Sequence, residues 1–207
     1  MIPVKVLAVQ YLSAVTPELS RALGTDAPCL GLITTDSDDP TYIALDQATK
    51  DAQVSVCYGR SFYAGAGNAS TPLAGEVIGI LAGQTPGAVR SGMESALGEL
   101  ERVGFEEVCG EPCLAHTVSR CGSFLAKEAG VREGTPLAYL IAPPLESMYA
   151  MDAALKAADV KLCKLYTPPT ETNFGGGLLT GTQSACAAAC AAFREAVAEV
   201  ANRPKKE

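Results

Sequence analysis

The sequence predicts an α+β fold built from two tandem copies of one module, each a mixed β-sheet with helices packed on it. Three observations carry this reading. First, the chain repeats at a spacing of 106 residues: Leu19 and Gly24 recur as Leu125 and Gly130, Asp46 and Lys50 as Asp152 and Lys156, and Cys57 as Cys163. Second, one period covers half of the 207 residues, which is domain-sized and far longer than the roughly 20–50 residues of a solenoid repeat. Third, apolar runs of strand length alternate with longer segments of helical period, twice over and in the same order.

In the first half, 4–12 reads as a strand, and Thr16-Pro17 opens a helix with the proline at its first position. Gly24 closes that helix as a left-handed glycine. The near-continuous apolar run 29–34 is a central strand, followed by the acidic loop 36–40 and a helix over 41–52. Strands follow at 54–58 and 76–82, and Thr85-Pro86 opens a helix to about residue 103. The second half repeats the pattern. A strand around His116 leads to a helix at 123–129, a strand at 137–141 and a helix at 145–158. Strands at 160–166 and 178–181 and a final helix over 182–201 complete it. Each half is therefore β-α-β-α-β-β-α.

The copies differ most in one loop. Cys57 to Leu81 spans 24 residues but Cys163 to Leu179 only 16, so the first copy carries eight more. Both loops are rich in Gly, Pro, Ser and Thr, and loops beyond the usual ~4–6 residues are often functional.

Composition excludes several classes. The net charge of −7 opposes nucleic-acid binding, which needs a positive surface. No stretch approaches the ~20 apolar residues of a membrane span, and Lys5 and Gln10 interrupt the apolar N-terminal run, so neither a span nor a secretory leader is expected. Eight cysteines occur without a CxxC pair, and the nearest approach to a metal motif is Cys109, Cys113 and His116. On a strand Cys113 and His116 would point to opposite faces, so no metal and no cofactor are expected. His116, the only histidine, has no nucleophile-type turn beside it, and Gly65-x-Gly67 lacks the third glycine of a dinucleotide fingerprint. Enzymatic function is not expected.

The chain also contains longer motifs in a fixed order: TDSDDPTYIALDQATK, YGRSFYAGAGNAS, AGEVIGIL and SRCGSFLAKEAG in the first 130 residues, then APPLES, PPTETNF and LTGTQSAC. With these the sequence resembles the shell proteins of bacterial microcompartments, in particular the large tandem-domain subunits of ethanolamine-utilisation compartments. The resemblance implies two circularly permuted shell domains, over 1–107 and 108–207. The segment 105–111 fits the family pattern only loosely.

It also implies a homotrimer that mimics a hexagonal plate and tiles with other shell proteins inside the cytoplasm. A gated central pore would be lined by the two long loops, at Phe62, Tyr63, Gly65, Gly67 and Asn68 in one and Asn173, Phe174, Gly175, Gly176 and Gly177 in the other. The glycines suit a close approach of three chains to an axis, although a plain hairpin connection would use them equally well. Smaller pores would admit ethanolamine, at Asp38, Glu76, Phe105 and Glu146. Carboxylates and an aromatic ring are what an ammonium group needs. Asp38 could instead cap a helix, and Glu146 could simply complement a helix dipole. A trimeric small-ligand sensor, or a shell subunit of a choline or diol compartment, are the alternative readings.

Overall fold

The computed structural model describes residues 1–63 and 71–205. The chain forms two compact units. The first module comprises Pro3–Val103 together with Gly122–Leu125; the second comprises Met1–Ile2, Gly104–Cys121 and Ala126–Glu207. Residues 106–108 fall in the second unit because they form a strand of its sheet.

The first module contains β1 (Val6–Leu12), α1 (Pro17–Ala22), β2 (Cys29–Thr35), α2 (Asp38–Asp51), β3 (Val54–Ser61), β4 (Val77–Gly83) and α3 (Pro86–Leu100). Its sheet runs β1-β2-β4-β3. The second contains β5 (Glu106–Val108), β6 (Glu111–Val118), α4 (Ser123–Ala129), β7 (Leu137–Ala142), α5 (Pro144–Ala157), β8 (Val160–Tyr166), β9 (Gly175–Gly181) and α6 (Gln183–Asn202), with α4 beginning in the segment that packs with the first module. Its sheet runs β5-β6-β7-β9-β8. Two α+β modules are thus present, as the repeat predicts. Every strand pairing among the described residues is antiparallel, so the sheets are antiparallel rather than mixed.

Helix starts follow the local chemistry. The Thr85 and Thr182 hydroxyls accept the N–H groups of Ala88 and Ala185 at 3.2 and 3.1 Å, each satisfying one of the free donors of a first turn. Thr16 precedes Pro17 at the start of α1 as expected, yet its side chain caps nothing. Gly24 adopts the predicted left-handed conformation, with φ +72°. One boundary differs in an informative way. The acidic stretch read as a loop is the first turn of α2, starting at Asp38 after Ser37. Carboxylates suit the positive end of a helix, and Pro40 sits where the missing N–H has no helical partner in any case.

The cores are built from the same positions in both copies. In the first, Leu45, Ala48, Leu81, Met93 and Ala96 are buried between the sheet and the α2/α3 pair; in the second, Met151, Ala154, Leu179, Cys190 and Phe193 do the same with α5 and α6. The ladders show the repeat in finer detail. β3 slips its register against β4 between Val56 and Tyr58, and β8 against β9 between Leu162 and Lys164, so Cys57 and Cys163 are the two bulge residues. After the long loop the spacing drops by the eight inserted residues: Gly79 matches Gly177, Leu81 matches Leu179 and Gly83 matches Gly181.

Candidate functional site

In the first module the candidate ligand residues gather where β2 ends and β4 begins. Asp38 is buried at the start of α2, and its carboxylate accepts the Asp39 backbone N–H at 2.9 Å. Burial pushes its pKa up, while hydrogen bonds from the Ser61 side chain and the Asp39 backbone pull it back. Ser61 in turn shares a 2.6 Å hydrogen bond with the Tyr42 hydroxyl. Glu76 is half-buried, and its pKa is pushed up by burial first and then by the charges of Asp38 and Asp36.

Local backbone fixes Glu76 there. Its N–H donates to the Thr35 carbonyl at 2.8 Å and its carbonyl accepts from Phe62 N–H at 3.0 Å. Gly75, at φ +64°, comes so close to the Thr35 carbonyl that a Cβ would lie 1.9 Å from it, so only glycine permits this approach. Asp36 accepts the Lys5 backbone N–H at 2.7 Å. Three carboxylates thus share one electrostatic neighbourhood, with Asp38 buried and Glu76 half-shielded from water. Such a site favours a cation that brings its own hydrogen-bond donors. The sequence reading missed Asp36, Ser61 and Gly75; only the GE pair of AGEV hinted at the turn.

The other two candidates belong to the second module. Phe105 is buried just before β5, with its ring centroid 5.4 Å from that of Phe174. Phe174 follows a turn in which Asn173 has φ +64° and donates its N–H to the Thr170 carbonyl at 3.1 Å. The Thr170 hydroxyl closes the turn by donating to the Phe174 carbonyl at 3.0 Å. Phe105, expected at a small pore, therefore touches a residue expected at the central one. Glu146 sits in the first turn of α5, partly exposed. Asp38 and Glu76 are brought together within one module, and Phe105 and Phe174 within the other.

Gly175, Gly176 and Gly177 are not loop residues: they open β9 and are buried. A Cβ at Gly175 would lie 2.6 Å from Ser147 Oγ, at Gly176 1.9 Å from the Leu140 carbonyl oxygen, and at Gly177 2.3 Å from that of Lys164. Packing inside the module already requires all three glycines. Phe62 and Tyr63 follow β3, Tyr63 being well exposed. Gly65, Gly67 and Asn68 lie outside the described residues. Among the described residues no group of three His, Cys, Asp or Glu side chains is placed to hold a metal ion, and no helix is long and apolar enough to cross a membrane.

An antiparallel sheet backed by a helix pair, made twice in one chain, is the architecture of a tandem bacterial microcompartment shell protein. Residues 29–114 match the BMC domain family. The bacterial microcompartment shell protein EutL of Clostridium perfringens (strain 13 / Type A) is 59% identical, over 96% of this chain and 94% of its own length. The crystal structure of the ethanolamine utilization protein EutL from Leptotrichia buccalis C-1013-b superposes with a TM-score of 0.96 at 53% identity, covering 100% of this chain and 98% of that one. At the level of fold alone, the trimeric microcompartment shell protein PduB matches with a TM-score of 0.80 at 19% identity, over 96% of this chain and 90% of that one. The chain belongs to the EutL family of bacterial microcompartment shell proteins.

Proposed function

We propose that the chain is a trimeric, pore-bearing shell subunit of an ethanolamine-utilising compartment, and that the acidic site around Glu76 receives ethanolamine on its way through the shell. The observation that carries this reading is the half-buried Glu76 beside buried Asp38. A half-shielded carboxylate crowded by like charge is relieved by an incoming ammonium group, which supplies both charge and N–H donors. The second module carries Phe105 and Glu146, an aromatic ring and a carboxylate, as candidates for the same ligand chemistry. No bond is made or broken: the subunit selects and passes a small amine. The loops after β3 and before β9, with Phe62, Tyr63, Gly65, Gly67 and Asn68 in one and Asn173 and Phe174 in the other, form the wider central pore in the same reading.

Calorimetric titration with ethanolamine tests the site. The unsubstituted protein binds and Glu76→Gln binds at least tenfold more weakly, while both sediment as trimers. Equal affinity in the two proteins removes Glu76 from the site. Tighter binding of choline than of ethanolamine would move the proposal to a different compartment.

A further inference from the structure

Asp46 is wholly buried, although it is a carboxylate on a helix surface. What covers it is the segment Gly122–Leu125, which packs in the first module. Asp46 accepts the Gly122 N–H at 2.7 Å and the Leu125 N–H at 2.8 Å. Beside it, Thr49 Oγ1 accepts the Ser123 N–H at 3.1 Å, and the Tyr42 ring lies 5.8 Å from that of Phe124. One patch of α2 is thus a seat for four residues.

The repeat contains a second seat and a second segment, and both are open to solvent in the single chain. The counterpart of Asp46 is Asp152 on α5, whose side chain is 64% exposed and pairs locally with Lys156, one turn along the same helix. The counterpart of 122–125 is 16–19, at the start of α1, where Leu19 is 44% exposed although its match Leu125 is buried.

Two of the residue exchanges between the two sets come in pairs. Where Thr49 accepts from Ser123 N–H, the second set has Leu155 and Pro17: the acceptor and the donor have disappeared together. Losing both partners of a hydrogen bond leaves nothing unsatisfied, whereas losing either alone would. Where Tyr42 packs on Phe124, the second set has Met148 and Glu18, so both rings have gone together. Met148 is half-buried, and its unbranched chain adapts to a differently shaped neighbour.

What the second set keeps is the acceptor and the donor that the central hydrogen bond needs. Asp152 retains the carboxylate, and a backbone donor at Leu19 is indifferent to side-chain change. That donor is available: the first helical bond of α1 runs from Ser20 N–H to the Thr16 carbonyl, one residue beyond it, and the Thr16 side chain caps nothing. Thr16 carries the Cβ that Gly122 lacks, so the second contact is seated through Leu19 rather than through residue 16.

From these matched pairs we infer that residues 16–19 of a second copy of this chain dock on α5, with Asp152 accepting the partner copy's backbone N–H at the Leu19 position and Met148 facing the Glu18 position. This rests on the trimeric reading above and specifies its contact. The surface is head-to-tail, and such a surface closes into a ring when the rotation per copy allows it. Three copies would then use six corresponding seats, three within chains and three between them.

The test is a pair of cysteines at the Tyr42–Phe124 counterpart. Under mild oxidation, Glu18→Cys with Met148→Cys is expected to give a covalent ladder ending at three chains on a non-reducing gel. Neither single variant should give one, and Asp152→Ala should weaken trimer formation at least tenfold in sedimentation. If the double variant sediments as a trimer yet stays unlinked, and Asp152→Ala assembles normally, the contact lies elsewhere and this inference is overturned while the trimer stands. If the unsubstituted protein is monomeric at every concentration, the assembly reading fails and this contact with it.

Discussion

The carboxylate of Asp46 holds the backbone N–H of Leu125 at 2.8 Å across 79 residues of sequence, with the Gly122 N–H on its other oxygen. Lys50, one turn along α2, approaches to 3.6 Å and balances the charge. A buried donor deprived of its acceptor costs about 1–3 kcal/mol. Asp46→Ala orphans two such donors. Amide exchange in the segment 122–125 should accelerate at least ~30-fold, the equivalent of about 2 kcal/mol. Asp46→Asn, with one acceptor oxygen left, should fall between. Unchanged exchange in the alanine variant would show that the segment is held by packing alone.

The acidic site predicts a pH-dependent effect on stability. Burial and its acidic neighbours raise the Glu76 pKa above 4.5, so between that value and the raised one the native state holds a proton the unfolded chain has released. The native state binds more protons in that window, so stability falls as pH rises through it. Glu76→Gln should therefore raise Tm at pH 7, by about 1–3 °C for a chain of this size, and the gain should vanish below about pH 4. A gain that persists under more acidic conditions would mean that charge is not the cause.

Two glycines make opposite predictions. Gly176, at φ +146° with the Leu140 carbonyl where its Cβ would be, cannot become alanine without moving a central strand pair, and Gly176→Ala should cost about 3 kcal/mol or more. Gly98 lies inside α3 with nothing within 4 Å of its absent Cβ. Gly98→Ala should stabilise by about 0.5–1 kcal/mol, through helix propensity alone. Thermal melts of both variants check the pair; a neutral Gly176→Ala would show that β9 adapts.

All eight cysteines are free, and Cys109 is the exposed one. Burial pushes the Cys113 thiol up to about 12, leaving roughly one part in ten thousand as thiolate at pH 8, and burial raises Cys57, Cys163, Cys186 and Cys190 as well. A maleimide should label one site quickly in the native protein, and mass mapping should find it at Cys109. Rapid labelling at Cys113 would contradict the packing of β6 against α6.

What the sequence revealed, and what it hid, divides along physical lines. The Thr85 helix start, the left-handed Gly24 and the α4 and β8 boundaries were legible because each depends on nearby residues. The strand β5 was not. It is three residues long and polar, and its hairpin turns through Cys109 and Gly110 at φ +53° and +89°, a left-handed pair that a cysteine does not advertise. The start of β9 was hidden by its glycines, which local rules assign to a loop and which contacts with Leu140, Ser147 and Lys164 draw into the sheet. In the acidic site, Asp38 and Glu76 were legible only through resemblance. Asp36 and Ser61 became visible once the fold placed β2 and β3 on either side of β4.

Whether two matched modules in one chain build a shell-forming trimer is decided by electron microscopy of the purified, concentrated protein. Flat sheets of hexagonally packed plates are expected, each plate with three-fold symmetry and three times the mass of one chain. Isolated monomers, or discrete trimers that never form a layer at any concentration, would refute it.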